Sequence, residues 1–417
     1  MKWGEAFAPL KERNFAWYFW SRFVNTAGGM MAGVALAFAV LAITDNSASA
    51  LGKVLAARTI PLVIFLLFGG VIADRLPRTL ILQVSNTFSA LSQGAVAYLV
   101  ISGHAELWMI ICLEAFNGTV SAVSFPAMTS MMPQLVRRDQ LQPANALMSL
   151  SRGGLTILGP TISALLVVTV GPGWALAIDA ASWLAAALLL LPVKIPPREP
   201  AGPGQQKTMI GDLREGWTIF SQTTWLWAVV LAFGLLNMIS TGALNTLGPA
   251  VANNTIGKQG WGFVLSAESA GLLLTTVVLL RFSLQRPLLF GMLACSLMGL
   301  PMILLGAAPH LMLLVIASFI AGAGIEVFSM GWNLAMQENI AEEMLSRAYS
   351  YDALGSFVAM PIGQLLYGPL GASFGYEKTL VFSGIAYFLI AFGTVGSRSV
   401  RDLRRVPVIR DVVPTEP

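Results

Sequence analysis

Lys194-Ile195-Pro196-Pro197-Arg198-Glu199-Pro200-Ala201-Gly202-Pro203-Gly204 is the stretch that organises this chain. Its prolines and glycines bar a continuous helix. On both sides lie apolar runs of about 20 residues or more, long enough to cross a bilayer as helices. Six precede the stretch, over about 15–43, 51–73, 80–102, 106–132, 142–170 and 172–193. Six follow it, over about 223–250, 259–281, 287–307, 310–336, 346–372 and 376–397. Most intervening loops are very short, so neighbouring helices run antiparallel. Behind the linker, Asp212-Leu213-Arg214-Glu215-Gly216-Trp217-Thr218-Ile219-Phe220 suits an amphipathic helix on the membrane surface. The predicted organisation is a six-helix bundle over 1–193, a linker over 194–222, a second six-helix bundle over 223–397 and a tail over 398–417.

Composition agrees with an all-α membrane protein. The 417 residues are 56% hydrophobic and 11% charged, with a mean hydropathy of +0.71. Soluble proteins carry about 25% charged residues, so a soluble fold of this balance could not cover its surface. A secreted enzyme, a nucleic-acid-binding domain and a disordered scaffold are excluded. Of the 25 Lys and Arg residues, 19 fall on the side that holds both termini. Lys53, Lys258 and Lys378 fall on the other side, and Arg22, Arg58 and Arg152 within the membrane. Such a bias predicts cytoplasmic termini. Lys2, Glu5, Lys11, Glu12 and Arg13 read as a cytoplasmic leader, not a cleavable signal. Cys112 and Cys295 lie in apolar segments and read as packing residues; His104 and His310 lie in loops. No metal-ligating cluster, cofactor motif, phosphate-binding loop or nucleophile elbow is present. No enzyme is expected, and work done by this chain draws on an energy source other than ATP.

The halves carry a faint repeat at an offset of 204 residues. Met132, Leu141 and Ala144 match Met336, Leu345 and Ala348, while Val136 and Asp139 meet Ile340 and Glu343. Gly118 meets Gly322, and Gly159 meets Gly363. Six helices, a linker and six related helices form the layout of a two-bundle transporter.

Gly70-Val71-Ile72-Ala73-Asp74-Arg75-Leu76-Pro77-Arg78 joins the second and third runs. It resembles motif A of the major facilitator superfamily, G-x-x-x-D-R-x-G-R, with Pro77 at the usual glycine. The D-R-x-P-R spelling is similar to a bacterial exporter branch that includes enterobactin exporters and macrolide efflux proteins. So are Leu55-Ala56-Ala57-Arg58-Thr59-Ile60-Pro61, Ala177-Ile178-Asp179-Ala180-Ala181-Ser182 and Gln337-Glu338-Asn339-Ile340. The resemblance covers nearly the whole chain and implies twelve transmembrane helices in the major facilitator fold. It also implies a multi-pass protein of a bacterial cytoplasmic (inner) membrane. In the family the motif A acid faces the N-terminus of helix 11, here near Ser346 and Arg347, where the helix dipole favours it by roughly 0.3–2 kcal/mol. Gly70, Asp74, Arg75 and Arg78 are therefore expected to latch the outward-facing state, with a topology role open for the two arginines. Two further motifs are degraded. Glu114-Ala115-Phe116-Asn117-Gly118 stands where R-x-x-Q-G is usual, and Gly159-Pro160 keeps company with Leu155 and Ser163 in place of glycines.

A charge at the bilayer centre costs about 2.5–3.5 kcal/mol on insertion scales, so it faces a cavity or a partner. At about 1.5 Å per residue, Arg58, Glu114, Asp179 and Glu268 lie roughly 10–13 Å from the outer ends of their helices. Arg22, Asp352 and Glu326 lie toward the inner ends, and Arg152 near the middle. Arg58 and Glu114 share a half and a depth and are expected to pair; Arg22 is expected to meet Glu326 or Asp352. Arg58, Arg152, Asp179, Glu268 and Asp352 are candidate charge pairs. In the family, helices 1, 4, 7 and 10 line the cavity, which promotes Arg22, Asn25, Glu114, Asn117, Asn237, Asn245, Glu326 and Asn333 as cavity residues. Glu114 or Glu326 could carry a proton. Trp17, Tyr18, Trp20, Trp108, Trp225 and Trp227 read as an interfacial belt, and Phe116, Phe125, Met128 and Phe328 as core or as a greasy cavity wall.

The expected function is proton-coupled export of a small amphipathic molecule, such as a drug or siderophore, by alternating access. The expected partners are that small molecule, protons and the lipid bilayer, without nucleic acid, for a monomer without cofactor or metal. An importer, a lysolipid flippase of the same fold and a transport-inactive sensor or scaffold remain as alternatives.

Overall fold

The computed structural model describes residues 7–404, apart from 76, 130, 138–139, 195–216, 219, 280–283 and 341. The described chain is helical throughout. The long helices are α1 (Arg13–Ile43), α2 (Ala48–Arg75), α3 (Arg78–Ser102), α4 (Leu107–Thr129), α5 (Leu141–Thr169) and α6 (Pro172–Leu190). After the linker come α7 (Thr224–Asn254), α8 (Gly257–Leu279), α9 (Pro287–Ala307) and α10 (Leu311–Asn339). Two pieces, Glu342–Phe357 and Met360–Phe374, make α11, and α12 is Tyr376–Val395. Both ends of the described chain lie at one end of the molecule, called here the near end. The tight turns after α1, α3, α5, α7, α9 and α11 lie at the far end.

Local chemistry sets these boundaries. Gly103 closes α3 at φ 73, a left-handed conformation that carries no steric penalty for glycine. Gly171 and Gly375 make the positive-φ turns into α6 and α12. The break in α11 falls at Val358 and Ala359, and Pro361 in the first turn of the second piece has no N–H to bond the Phe357 carbonyl across it.

Eleven helices among the described residues are long and apolar enough to cross a membrane. The helix expected over 80–102 forms as α3 but falls below that apolarity. Its inward face carries Ser85, Asn86, Ser89, Ser92 and Gln93, all buried. These polar groups face other helices, not lipid. Large apolar side chains such as Leu188, Leu231, Phe382 and Leu389 stay exposed around the perimeter, which suits a lipid-facing surface.

Before the linker, α2 packs on α4, α3 on α6, and α1 on α5 and α6. After it, α8 packs on α10, and α9 on α10 and α12. The two sets meet chiefly along α5–α8 and α2–α11. The repeat reappears as paired contacts. A Cβ on Gly118 would collide with the Arg58 carbonyl, and one on Gly322 with the Glu268 carbonyl. Both crossings need glycine for close backbone approach. Arg58 on α2 and Glu268 on α8 are thus equivalent positions of the two halves.

Among the described residues, several polar contacts join the sets toward the far end. Asn46 Nδ2 donates to the Ala250 carbonyl at 3.0 Å and Asn253 Nδ2 to Asn46 Oδ1 at 3.2 Å. The Thr161 and Ser266 hydroxyls share a 2.7 Å hydrogen bond across α5–α8. Lys258 stands over the Phe38 ring at 5.6 Å. Gly52 and Gly368 let α2 and α11 touch backbone to backbone.

Candidate functional site

One face of α1 builds the floor of two adjoining chambers. Tyr18, Arg22, Asn25, Gly29 and Gly33 recur every three or four residues, so they line a single helical stripe. Gly29 and Gly33 leave open space where a side chain would stand. On α5, Ser149, Arg152, Thr156 and Pro160 form the matching stripe.

The chamber toward the near end holds about 430 Å³ and is lined by Tyr18, Arg22, Asn25, Met128, Arg152 and Trp183, among others. Arg22 Nη1 donates to Asn25 Oδ1 at 3.0 Å. Asn25 is 6% exposed, and its Nδ2 is buried without a hydrogen-bond partner. Arg152 is exposed to the chamber and lies within electrostatic reach of Arg22. Among the described residues, neither arginine has a carboxylate within ion-pair distance.

The deeper chamber holds about 390 Å³ and shares Gly29 and Met30 with the first. Its walls come from both sets of helices: Val34, Leu55 and Pro160 from the first, Leu244, Trp261 and Leu265 from the second. A π-helical turn over Thr241–Leu247 widens α7 there, and Asn245 within it lines the chamber. Thr246 Oγ1 donates to the Thr241 carbonyl at 3.1 Å. Gln364 and Glu268 also line it. Gln364 Oε1 is a buried acceptor without a partner. Among the described residues Glu268 has no hydrogen-bond or ion-pair partner, so its expected charge pair does not form.

A separate ionisable cluster sits inside the first set of helices. Arg58 Nη1 lies 3.4 Å from Glu114 Oε2, which brings the expected pair together. Among the described residues Glu114 Oε1 is buried without a hydrogen-bond partner, and the fully buried Asp179 has only the neutral Trp183 and Ser182 beside its carboxylate. Asp179 lies within electrostatic reach of both Arg58 and Glu114. Gly28 admits Ser182 and Asp179 to the α1 surface. One guanidinium therefore faces two carboxylates in the interior. Glu114 is 1% exposed and Asn117 fully buried; neither lines a described chamber, contrary to the expectation drawn from helix 4.

Other expected cavity residues are engaged elsewhere. Asn237 Nδ2 donates to the Ser356 carbonyl, tying α7 to α11. Asn333 Nδ2 donates to the Ser329 carbonyl and its Oδ1 accepts from the Tyr349 hydroxyl. Glu326 Oε1 accepts from Thr276 Oγ1 at 2.7 Å. Asp352 accepts from Trp332 Nε1 and from Ser356 Oγ. Arg22 meets neither Glu326 nor Asp352, because the helices carrying them pack elsewhere. Arg152 lines a chamber and makes no charge pair among the described residues. Of the aromatic candidates, Phe328 stacks on Phe233 in the core at 3.9 Å, Trp225 is buried against Trp332, and Phe116 meets Phe88 on the exposed perimeter. Met128 alone of the greasy set lines a chamber; the side chain of Phe125 lies outside the described residues. So do those of Gly70, Asp74 and Arg75, which end α2, and of Ser346 and Arg347, so the expected latch contact lies outside them too. Arg78 opens α3 and is half-buried. Lining residues that the sequence reading missed are Trp261, Gln364 and the α5 stripe. Their three- and four-residue spacing was the available signal.

A family profile described as transmembrane secretion effector matches residues 4–404. The chain belongs to this family. Relatives include macrolide efflux protein A of Streptococcus pyogenes, 22% identical, with 91% of this chain and 96% of that protein covered. Enterobactin exporter EntS of Escherichia coli O1:K1 / APEC is 25% identical, with 78% of this chain and 77% of that protein covered. The fold is similar to that of the nucleoside transporter NupG in its crystal structure. The TM-score is 0.75 at 13% identity, over 92% of this chain and 98% of that one. The family member described here is thus a multi-pass membrane transporter of major facilitator type and not an enzyme.

Proposed function

We propose that this transporter is a proton-coupled exporter of a small amphipathic molecule, working by alternating access as a monomer in a bacterial cytoplasmic membrane. The observation that carries the reading is the distribution of contacts. Among the described residues, hydrogen bonds join the two helix sets toward the far end, beyond one chamber in the near half and a deeper one that reaches into the far half. The Lys and Arg bias assigns the near end to the cytoplasm, so the chambers would receive cargo from inside. In this reading residues 1–193 and 223–397 are two rocking bundles of six spans each. The linker over 194–222 joins them, and a cytoplasmic tail follows at 398–417. Helix α3 is the twelfth span, its polar face shielded by α4 and α6. Gly70, Asp74, Arg75 and Arg78 would latch the near end when it closes.

The cluster of Arg58, Glu114 and Asp179 supports proton coupling. A second ionised carboxylate beside one guanidinium leaves a net negative charge in a low-dielectric interior, which is costly. One bound proton balances the cluster. The relatives named as exporters support the direction. Uptake into inside-out vesicles, with an imposed proton gradient and a panel of fluorescent amphiphiles, tests the reading. Uptake that collapses on adding an uncoupler is expected. Uptake indifferent to the gradient refutes proton coupling, and transport only into right-side-out vesicles refutes export.

A further inference from the structure

Two guanidiniums, Arg22 and Arg152, face the near chamber at membrane depth, and neither has a carboxylate partner among the described residues. Like charges brought together away from bulk water repel, and they are retained where something anionic completes them. Asn25 Oδ1 accepts from Arg22 Nη1 at 3.0 Å and holds that guanidinium at the chamber wall. A guanidinium offers donors only, with a planar fork that matches a carboxylate, sulfonate or phosphate. The near chamber thus presents two guanidiniums where the deeper one presents the Glu268 carboxyl.

We propose that the molecule exported under the reading above is an anionic amphiphile. Its acidic group is held by Arg22 and Arg152, the first positioned by Asn25, and its apolar body passes Met30 into the deeper chamber. The orientation follows from charge and shape. Gly29 and Met30 belong to both chambers, and Gly29 lies about 10 Å along α1 from Arg22, at seven residues of helical rise. Beyond them, Trp261 and Leu265 offer apolar surface, while Glu268 disfavours an anionic head at that depth.

Binding is measured on the full-length protein in phosphatidylcholine nanodiscs, with no gradient. Three probes share one fluorophore and differ in charge: dansylglycine, dansylamide and dansylethylenediamine. The anion is expected to bind at least about tenfold tighter than the other two, as one charge-assisted contact implies. Arg22→Gln and Arg152→Gln should each weaken dansylglycine by about tenfold and leave dansylamide unchanged, with Arg152→Lys keeping most of the affinity. Arg152 is exposed, so its replacement leaves the fold intact even where that of Arg22 does not. Displacement of dansylglycine by added phosphatidylglycerol would mark an anionic lipid as the source of the head group; no displacement would mark a soluble amphiphile. Equal binding of all three probes, preference for the cation, or anion affinity unmoved in the double variant overturns the proposal. Binding of the anion without vesicle uptake would refute export and leave the site standing.

Discussion

Replacing Arg58 by glutamine removes the guanidinium that faces Glu114 and Asp179. Two unit charges at the observed 3.4 Å attract by about 5 kcal/mol at an effective dielectric of about 20. Arg58 is 34% exposed, so water screens part of this, and a coupling of about 1–3 kcal/mol remains. The single variant also strands two buried acids, for a total loss of about 2–4 kcal/mol. Arg58→Gln/Glu114→Gln should therefore lose less than the sum of the two single changes, by that coupling. The assay is equilibrium unfolding of the purified protein in mixed dodecyl maltoside and SDS micelles, followed by tryptophan fluorescence. Strict additivity, or an Arg58→Gln protein within about 0.5 kcal/mol of the parent, would refute the cluster as an electrostatic unit.

Gly29→Ala and Gly322→Ala should move stability in opposite directions. No atom lies within 4 Å of a Cβ at Gly29, so alanine there should stabilise the helix by about 0.5–1 kcal/mol. At Gly322 the Glu268 carbonyl is in the way, and alanine should cost about 1–3 kcal/mol; thermal melting of the two proteins checks both signs. Gly29→Leu should fold normally yet slow vesicle uptake severalfold, because its side chain enters open space where the two chambers adjoin. Thr276→Val removes the hydroxyl donor to Glu326 and should lower stability by about 1 kcal/mol, with uptake retained because Glu326 lines neither chamber.

The spans were legible in the sequence because each is a long apolar run, and the linker was legible from its prolines. The polar face of α3 kept its hydropathy low, yet the apolar run over 80–102 still marked a helix. Depth along each helix paired Arg58 with Glu114. Depth says nothing of angle around the axis, and that is where the reading of the site failed. Glu268 and Glu326 lie on neighbouring helices, but Glu268 shares a face with Trp261 and Leu265, whereas Glu326 turns toward Thr276. Assigning the cavity to helices 1, 4, 7 and 10 misplaced Asn117, Asn237 and Asn333 and passed over α5, α8 and Gln364. The π turn in α7 shifts the register of that helix by a fraction of a turn, which a 3.6-residue period does not reveal. The Tyr18, Arg22, Asn25, Gly29 and Gly33 stripe was readable throughout, as a polar and glycine-lined face on an otherwise apolar helix.

Alternating access requires α5 and α8 to part at the far end, where the Thr161 and Ser266 hydroxyls now touch at 2.7 Å. Side-chain oxygens this close put the two Cβ atoms within reach of a disulfide. The Thr161→Cys/Ser266→Cys protein, oxidised in inside-out vesicles, should lose gradient-driven uptake, still bind dansylglycine, and recover uptake on reduction. Full uptake by the oxidised, cross-linked protein would contradict the claim that cargo leaves through an opening at that end.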